Sequence, residues 1–195
     1  MPAVVAVTLG ILLGYAAGGS LGRLGGLKLR FELLIVPLFV LQALARGRLL
    51  GLVGASKWSL AVWVASSVLL VGAMLTNWKI PGMAIGVAGI LMNLDTTLLN
   101  SAMPVVLGGR TELLASVSAA EVASSSGSFY RVAQTGDLLT WMGDVMPVAW
   151  GRSMMLVSPG DVVLMVAVVA VIVWGMTVGD GRSSPTLAQV RDAAS

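Results

Sequence analysis

The sequence predicts an all-α protein: a polytopic transmembrane helix bundle of about five spans, with short interfacial helices between spans four and five. Of the 195 residues, 57% are hydrophobic and 11% are charged, and the mean hydropathy is +0.93. A soluble domain has about 25% charged residues. The apolar residues also form runs close to the length of about 20 residues that a helix needs to cross the hydrocarbon. Much of the surface is therefore expected to face lipid.

Five apolar runs provide the predicted spans, and they are residues 3–19, 31–45, 58–78, 80–99 and 161–178. The third is the clearest, because Trp58 and Trp78 near its ends fit the interfacial depth that indole rings prefer. The second contains Pro37 and is short for a hydrocarbon core of about 30 Å, so it is either a thin span or a re-entrant segment. The first lacks a preceding positive side chain, and we interpret it as a retained span rather than a signal peptide.

One long connection, residues 101–160, separates the fourth and fifth spans. Within it, residues 113–122 and 138–150 are predicted to form short helices against the bilayer surface or the spans. The transmembrane domain is expected to cover residues 1–178, and residues 179–195 are expected to form a polar, mobile tail. The cations divide evenly between the two sides of a five-span bundle, so their count does not fix its orientation. The first span has cations after it and none before it, which favours an external N-terminus.

The residue types present limit the possible chemistry. The chain contains no histidine and no cysteine, which excludes disulfides, thiolate chemistry, histidine proton relays and nearly all transition-metal sites. We therefore expect no metal and no cofactor. The net charge of +3 is dispersed, without a dense Lys/Arg window, so nucleic acid is not an expected partner. The lipid bilayer is the expected partner.

Glycines spaced four residues apart predict close helix packing in the first and fourth spans. Gly10, Gly14 and Gly18 share a face of the first span, and Gly82 and Gly86 repeat the pattern early in the fourth. Such pairs let two helix backbones approach closely, which is how helices gain packing energy in lipid. Packing within one subunit is the main interpretation, and the alternative is a homo-oligomer or a membrane-protein partner bound through these faces.

Two aspartates of the long connection and the last span are catalytic candidates. Asp161 follows Ser158 in Ser-Pro-Gly-Asp, a pattern that resembles a helix-capping box and explains its carboxylate without catalysis. Asp144 lies between Gly143 and Pro147 in a predicted turn at the interface. As a pair, the two loosely resemble the aspartates of lipoprotein signal peptidases, which implies one charged and one protonated carboxyl group that together activate water.

The end of the fourth span carries the binding candidates Asn93, Asp95, Thr97 and Asn100. Helical spacing places Asn93, Thr97 and Asn100 on one face, with Asp95 pointing elsewhere. An ionisable group inside a span is a functional candidate, since burying it in lipid is costly. The structural alternative for Asp95 is an interhelical hydrogen bond or an ion pair with Arg110.

Several segments, taken in order, resemble a known family. They are Gly18–Arg23, Leu27–Arg30, Gln42, Asn93, Asn100–Val105, Gly143–Val148 and Ser158–Asp161. Together they resemble the bacterial multi-pass membrane proteins grouped as the domain-of-unknown-function 5317 family. The family's Asn-Gly-Gly before Met-Pro is Asn-Ser-Ala here, which leaves any role of those glycines in doubt. The resemblance implies a bacterial plasma (inner) membrane location and about five spans, but no known activity.

Three functions are compatible with these patterns. The leading one is a non-enzymatic scaffold, accessory subunit or partner-binding membrane protein, which the glycine faces and the lack of histidine and cysteine favour. The second is a membrane-embedded hydrolase that uses the carboxylates of Asp144 and Asp161. The third is a small-solute or ion transporter that uses Asp95, for which five short spans leave little room unless the protein oligomerises.

Overall fold

A computed structural model describes residues 2–45, 58–106, 129–150 and 153–178 of the chain. This part is mostly helical, as predicted. A long helix lies in each of the five apolar runs: α1 (Pro2–Ala16), α3 (Glu32–Ala45), α4 (Ser59–Leu75), α5 (Met83–Leu99) and α6 (Pro159–Val178). A short helix, α2 (Leu21–Gly25), follows α1. The remaining elements are strands β1 (Met103–Val105), β2 (Tyr130–Val132), β3 (Met146–Trp150) and β4 (Ser153–Val157), and a 3-10 turn (Thr140–Met142).

The all-α prediction is wrong for residues 138–150, which were expected to form an interfacial helix. They form the 3-10 turn and strand β3, which pairs antiparallel with β4 so that Met146 lies opposite Val157. Gly143 and Pro147 account for the difference, because glycine weakens a helix and an interior proline removes one of its hydrogen bonds. Strands β1 and β2 form a second, parallel pair. The other predicted interfacial helix, residues 113–122, and the tail 179–195 lie outside the described residues.

Helix length distinguishes α6 from the other described helices. With 20 residues, α6 is the one described helix that is long and apolar enough to cross a membrane, and 22% of its apolar window is buried inside the structure. The helices α4 and α5 have 17 residues each, and α1 and α3 have 15 and 14. The structure therefore contains one candidate span by length and composition, and the predicted bundle of five spans is not shown.

Helix α1 packs against α6 through small residues. Gly10 lies against Ile172 and Gly14 against Met176, so the two helices run parallel. A side chain at either glycine would collide with α6. Gly18 has a different position, since it follows the end of α1 at a φ of +75° with open space around it. The glycine face of α1 is thus covered by a helix of the same chain.

Helix α5 packs on the other side of α6. Gly82 precedes α5 at a φ of +96° and lies against Val171, while Gly86 lies between Met74 of α4 and Ala167 of α6. From Gly82 to Gly86, towards the C-terminus of α5, the contacts shift from Val171 to Ala167, towards the N-terminus of α6. The two helices are therefore antiparallel. The second pair of predicted packing glycines therefore also faces neighbours within the chain.

Hydrogen bonds fix the direction of α3 against α4. Near one end of the pair, Asn77 bonds to the backbone of Arg30, and near the other, Gln42 Nε2 donates to Ser67 Oγ at 2.9 Å. The two helices are therefore antiparallel, and α3, α4, α5, α6 and α1 pack side by side in that order. The five long helices consequently alternate in direction along the chain.

This alternation gives the molecule two ends of different character. The sheet end contains β1–β4, the 3-10 turn, the end of α5 and the starts of α4 and α6. A cluster of buried apolar side chains lies beside it, namely Trp63, Leu94, Met103 and Phe129. The basic end contains α2 and the turn between α4 and α5, and it exposes the cations Arg23, Lys28, Arg30 and Lys79. A second core cluster lies in the half of the bundle nearer the basic end: Leu38, Leu70, Met74, Met83 and Ile90.

The packing of α1 on α6 predicts the effect of enlarging Gly14. We expect Gly14→Leu to lower the free energy of unfolding by about 1–3 kcal/mol, because the added side chain overpacks the contact with Met176. Gly72→Leu is the control, since Gly72 lies in α4 with nothing near the added carbon. It should not lower stability and is expected to raise it by up to about 1 kcal/mol, because leucine is a better helix former than glycine. Titration of the detergent-solubilised protein with SDS measures both values, and equal stabilities would contradict the α1–α6 contact.

Candidate functional site

The candidate site is a buried polar cluster where the end of α5 meets the start of α6. Asn93 Nδ2 donates to Asp161 Oδ1 at 2.9 Å, and Ser158 Oγ donates to Asn93 Oδ1 at 2.8 Å. All three side chains are buried: Asn93 is 1% exposed, Asp161 is 8% exposed and Ser158 is 0% exposed. Both functions of the asparagine amide, donor and acceptor, are therefore used to join two helices that are distant in sequence.

The start of α6 is built by local capping. The N–H of Asp161 donates to Ser158 Oγ at 3.0 Å, which is the N-cap bond that Ser-Pro-Gly-Asp predicts. Pro159 occupies the first helical position, where its missing N–H costs nothing. The Ser158 hydroxyl thus accepts a bond from its own helix and donates one to Asn93 of α5. The cap and the interhelical contact depend on the same oxygen atom.

Two further glycines let the helices approach at this site. A Cβ at Gly160 would lie 2.7 Å from the Asn93 side-chain carbon, and one at Gly89 would lie 2.8 Å from the Gly160 carbonyl oxygen. Neither glycine was singled out from the sequence. The available signal was the spacing of Gly86, Gly89 and Asn93, which places them on one face of α5.

The other polar residues at the end of α5 contact the sheet end. Asn100 pairs with both backbone groups of Leu138: its Oδ1 accepts from the N–H at 2.9 Å, and its Nδ2 donates to the carbonyl at 2.8 Å. We call this arrangement an amide clamp, meaning a side-chain amide paired with the N–H and the C=O of one residue. Thr97 is buried and donates to Met103 Sδ at 3.5 Å. These predicted binding residues are thus in contact with the protein itself.

A second amide clamp, which the sequence analysis missed, lies near the basic end. Asn77 Oδ1 accepts from the N–H of Arg30 at 2.8 Å, and Asn77 Nδ2 donates to the Arg30 carbonyl at 2.9 Å. The same Nδ2 donates to the carbonyl of Ala73 at 2.8 Å. The clamp attaches the segment before α3 to the end of α4. Its signal in the sequence was an asparagine near the end of the third apolar run.

Each amide clamp is next to strained backbone. Among the described residues, the non-glycine residues with positive φ are Phe31 at 60°, Ser101 at 57° and Leu139 at 52°. Phe31 and Leu139 directly follow Arg30 and Leu138, the residues whose backbone is bound by a clamp. Ser101 directly follows Asn100, whose side chain forms a clamp. A left-handed conformation at a residue other than glycine costs of order 1–3 kcal/mol and persists only where its surroundings impose it. The amide clamps supply that constraint.

The other two candidate carboxylates, Asp144 and Asp95, lie at the sheet end and on α5. Asp144 is buried at the sheet end, where its N–H donates to the Pro104 carbonyl at 3.0 Å and its carbonyl accepts from Val106 at 3.1 Å. Asp95 is exposed on the opposite side of α5 from the cluster. Its suggested partner Arg110 lies outside the described residues. The structure therefore brings Asp161 together with Asn93 and excludes Asp95 from that group.

An ion pair supports the clamp at the sheet end. Arg131 pairs with Asp137 through two bonds, of 2.6 Å and 2.9 Å, and its guanidinium also donates to the Asn100 carbonyl at 3.1 Å. The bonds from Arg131, followed by one from the N–H of Gln134, hold the pKa of the Asp137 carboxyl below its usual value. The ion pair of Arg131 and Asp137 therefore helps to hold Asn100 in position.

A comparison with known protein families shows to which family the chain is related. Residues 26–173 match a family of unknown function, DUF5317. The chain belongs to this family. The family membership predicted from the ordered segments is thus confirmed, and no curated protein or solved structure matches the chain.

In this DUF5317 protein, the segments that carry the resemblance coincide with the polar contacts. Asn93 and the segment Ser158–Asp161 form the buried cluster, Asn100 begins another segment and forms a clamp, and Gln42 forms the bond between α3 and α4. Within the described part of the chain, no three acidic side chains are grouped so that they could hold a metal ion. The arrangement is suited to joining helices and loops.

The buried cluster predicts energetic coupling between α5 and α6. In a double-mutant cycle, Asn93→Ala and Asp161→Ala should show a coupling energy of about 0.5–2 kcal/mol, since either change removes the same interhelical bond. Asp95→Ala combined with Asp161→Ala is the matched control and should be additive within about 0.5 kcal/mol. Unfolding in mixed micelles measures all variants. An additive Asn93–Asp161 pair would contradict the assignment of this contact.

Proposed function

We propose that this DUF5317 protein is a multi-pass protein of the bacterial inner membrane that acts as a non-enzymatic scaffold or accessory subunit. The observation that carries the proposal is the use of the buried polar side chains. Asn77, Asn93, Asn100 and Gln42 each join two separate parts of the chain. Buried amides that bond the protein to itself stabilise a shape, and a fixed shape is what a scaffold requires.

Exposed apolar side chains support the location in a membrane. The outward faces of α1, α3 and α4 carry large apolar residues that are mostly exposed, such as Leu12 at 61%, Leu33 at 84% and Leu69 at 61%. Water would be a poor solvent for faces of this kind, because monomeric soluble proteins rarely expose contiguous apolar patches above a few hundred Å². Lipid satisfies them without any partner.

The helix directions support several crossings. Five long helices that alternate in direction along the chain are what five successive crossings would produce. A helix of 17 residues, such as α4 or α5, rises about 26 Å and can cross a core of about 30 Å with modest thinning of the bilayer. Trp58 and Trp78 at the two ends of α4 are exposed, as interfacial anchors should be.

Single-cysteine labelling tests the crossings, since the natural chain has no cysteine to interfere. Thr135→Cys at the sheet end should react with a membrane-impermeant maleimide from one side of the membrane. Gly26→Cys and Lys79→Cys at the basic end should react from the other side. All three positions are exposed, so that access is limited by the membrane alone. Labelling of Thr135→Cys and Lys79→Cys from the same side would contradict the multi-pass proposal.

The scaffold function itself predicts an assembly. The protein extracted from its own membrane in mild detergent should migrate as a complex heavier than one 20.0-kDa chain with its micelle. The conservative variants Asp95→Asn and Asp144→Asn should retain that complex, because the scaffold needs neither carboxylate charge. Light scattering coupled to size exclusion measures the protein mass. A strictly monomeric protein would contradict the proposal, and Asp144→Asn would then be assayed for loss of hydrolysis and Asp95→Asn for loss of transport.

A further inference from the structure

We infer that a groove between α3 and α6 binds an acyl chain of an anionic phospholipid whose headgroup lies against the basic end. The inference rests on the proposed membrane location. It concerns a site separate from the polar cluster, in the half of the bundle nearer the basic end. Three observations carry it: the shape and lining of the groove, the way in which α3 is held, and the charges at its mouth.

The groove is apolar throughout. It has a volume of about 150 Å³, is partly open to the surface, and is lined by residues of α3, α4, α5 and α6 that include Ile35, Phe39, Met74, Met83, Leu164 and Val171. An apolar lining of this kind offers water no hydrogen bonds and favours apolar groups. In a bilayer, the apolar group available at high concentration is a lipid acyl chain. The groove runs along α6 from Ile172 to Leu164, away from the basic end, which is the direction that a chain takes below its headgroup.

The Asn77 clamp places the groove next to the basic end. Leu29 lines the groove, and the next residue, Arg30, is the one held by Asn77 on both of its backbone groups. Phe31 then adopts its φ of 60° and directs the chain into α3. The side wall formed by α3 is therefore fixed to α4, and the space between α3 and α6 does not depend on a contact between those two helices.

The charges near the mouth match an anionic headgroup. Residues 17–31 and 76–82, the segments at the basic end, contain the cations Arg23, Lys28, Arg30 and Lys79 and no acidic residue, and the nearest acid in sequence is Glu32 at the start of α3. Lys28 and Arg30 flank the groove residue Leu29, and Lys79 follows the clamp residue Asn77 by two positions. Each of these cations is exposed. Cations at the membrane surface attract anionic lipids, whereas a zwitterionic headgroup gains little from them.

Lipid binding to the full-length protein tests the inference. Native mass spectrometry of the protein, released from micelles containing dioleoyl phosphatidylglycerol or dioleoyl phosphatidylcholine, compares two headgroups on the same chains. We expect the phosphatidylglycerol to bind about fivefold more tightly or better, as expected for at least one added charge contact. Lys28→Gln combined with Lys79→Gln should remove most of this preference. Lys57→Gln, which removes a cation outside both segments, should preserve it.

A second pair of variants tests the groove separately from the charges. Val168 of α6 also lines the groove. Val168→Phe fills the groove and should weaken binding of both lipids to a similar extent, by about fivefold or more, since roughly one kcal/mol of chain contact is lost. Val166→Phe adds the same ring to an exposed position of α6 and should leave binding unchanged. If Val168→Phe fails to fold, Val168→Leu provides a smaller obstruction. Equal binding of the two lipids, or unchanged binding to both folded Val168 variants, would overturn the inference.

The outcome is separable from that of the proposed function. If cysteine labelling shows several crossings and the lipids still bind alike, the groove inference alone is wrong. If labelling shows that Thr135 and Lys79 share one side, the membrane arrangement on which both proposals depend is wrong.

Discussion

The structure depends on side-chain amides that replace backbone hydrogen bonds between segments. An asparagine amide has one acceptor oxygen and a donor nitrogen, which is the same pair of functions that a peptide group offers. Asn77 and Asn100 each use this pair to bond the backbone N–H and C=O of a single residue in another segment. Asn93 uses it to bond Ser158 and Asp161. In apolar surroundings an unsatisfied amide is costly, so each of these contacts, once formed, is costly to break.

This constraint also explains where the backbone is strained. Phe31 and Leu139 directly follow the clamped residues Arg30 and Leu138, and Ser101 directly follows the clamping residue Asn100. In each case a helix or turn boundary must change direction sharply within one residue. Glycine could do so at low cost, but a larger side chain at these positions requires a constraint from outside. The strain and the clamp are therefore one feature: loss of the amide would allow the adjoining residue to relax and the segment to move.

The parts of the fold that follow from local pattern were predictable, and those that follow from pairing of distant segments were not. The five long helices lie in the five apolar runs, and the shared face of Asn93, Thr97 and Asn100 follows from the helical period. Their partners are 6 to 68 positions away, and no period in one sequence indicates such pairs. The apolar content of residues 146–150 suits a helix and a strand equally, and the sequence analysis predicts a helix there, although Pro147 disfavours a helix interior. Gly89 and Gly160 were overlooked since each matters only through the other helix.

The two ends of the bundle differ in what their polar groups leave available. At the sheet end, Arg131 is engaged by Asp137 and Asn100, and the amides of Asn93 and Asn100 are engaged by α6 and Leu138. Charges engaged in this way contribute to shape, and a ligand that used them would first have to break the contacts that form the site. At the basic end, the backbone of Arg30 is fixed by Asn77 while its charged side chain is exposed. A fixed backbone with an exposed cation is preorganised, since binding an anion there requires no rearrangement of the fold. Recognition of other molecules by charge is therefore expected at the basic end, although most of the polar residues of α5 and α6 are concentrated at the sheet end.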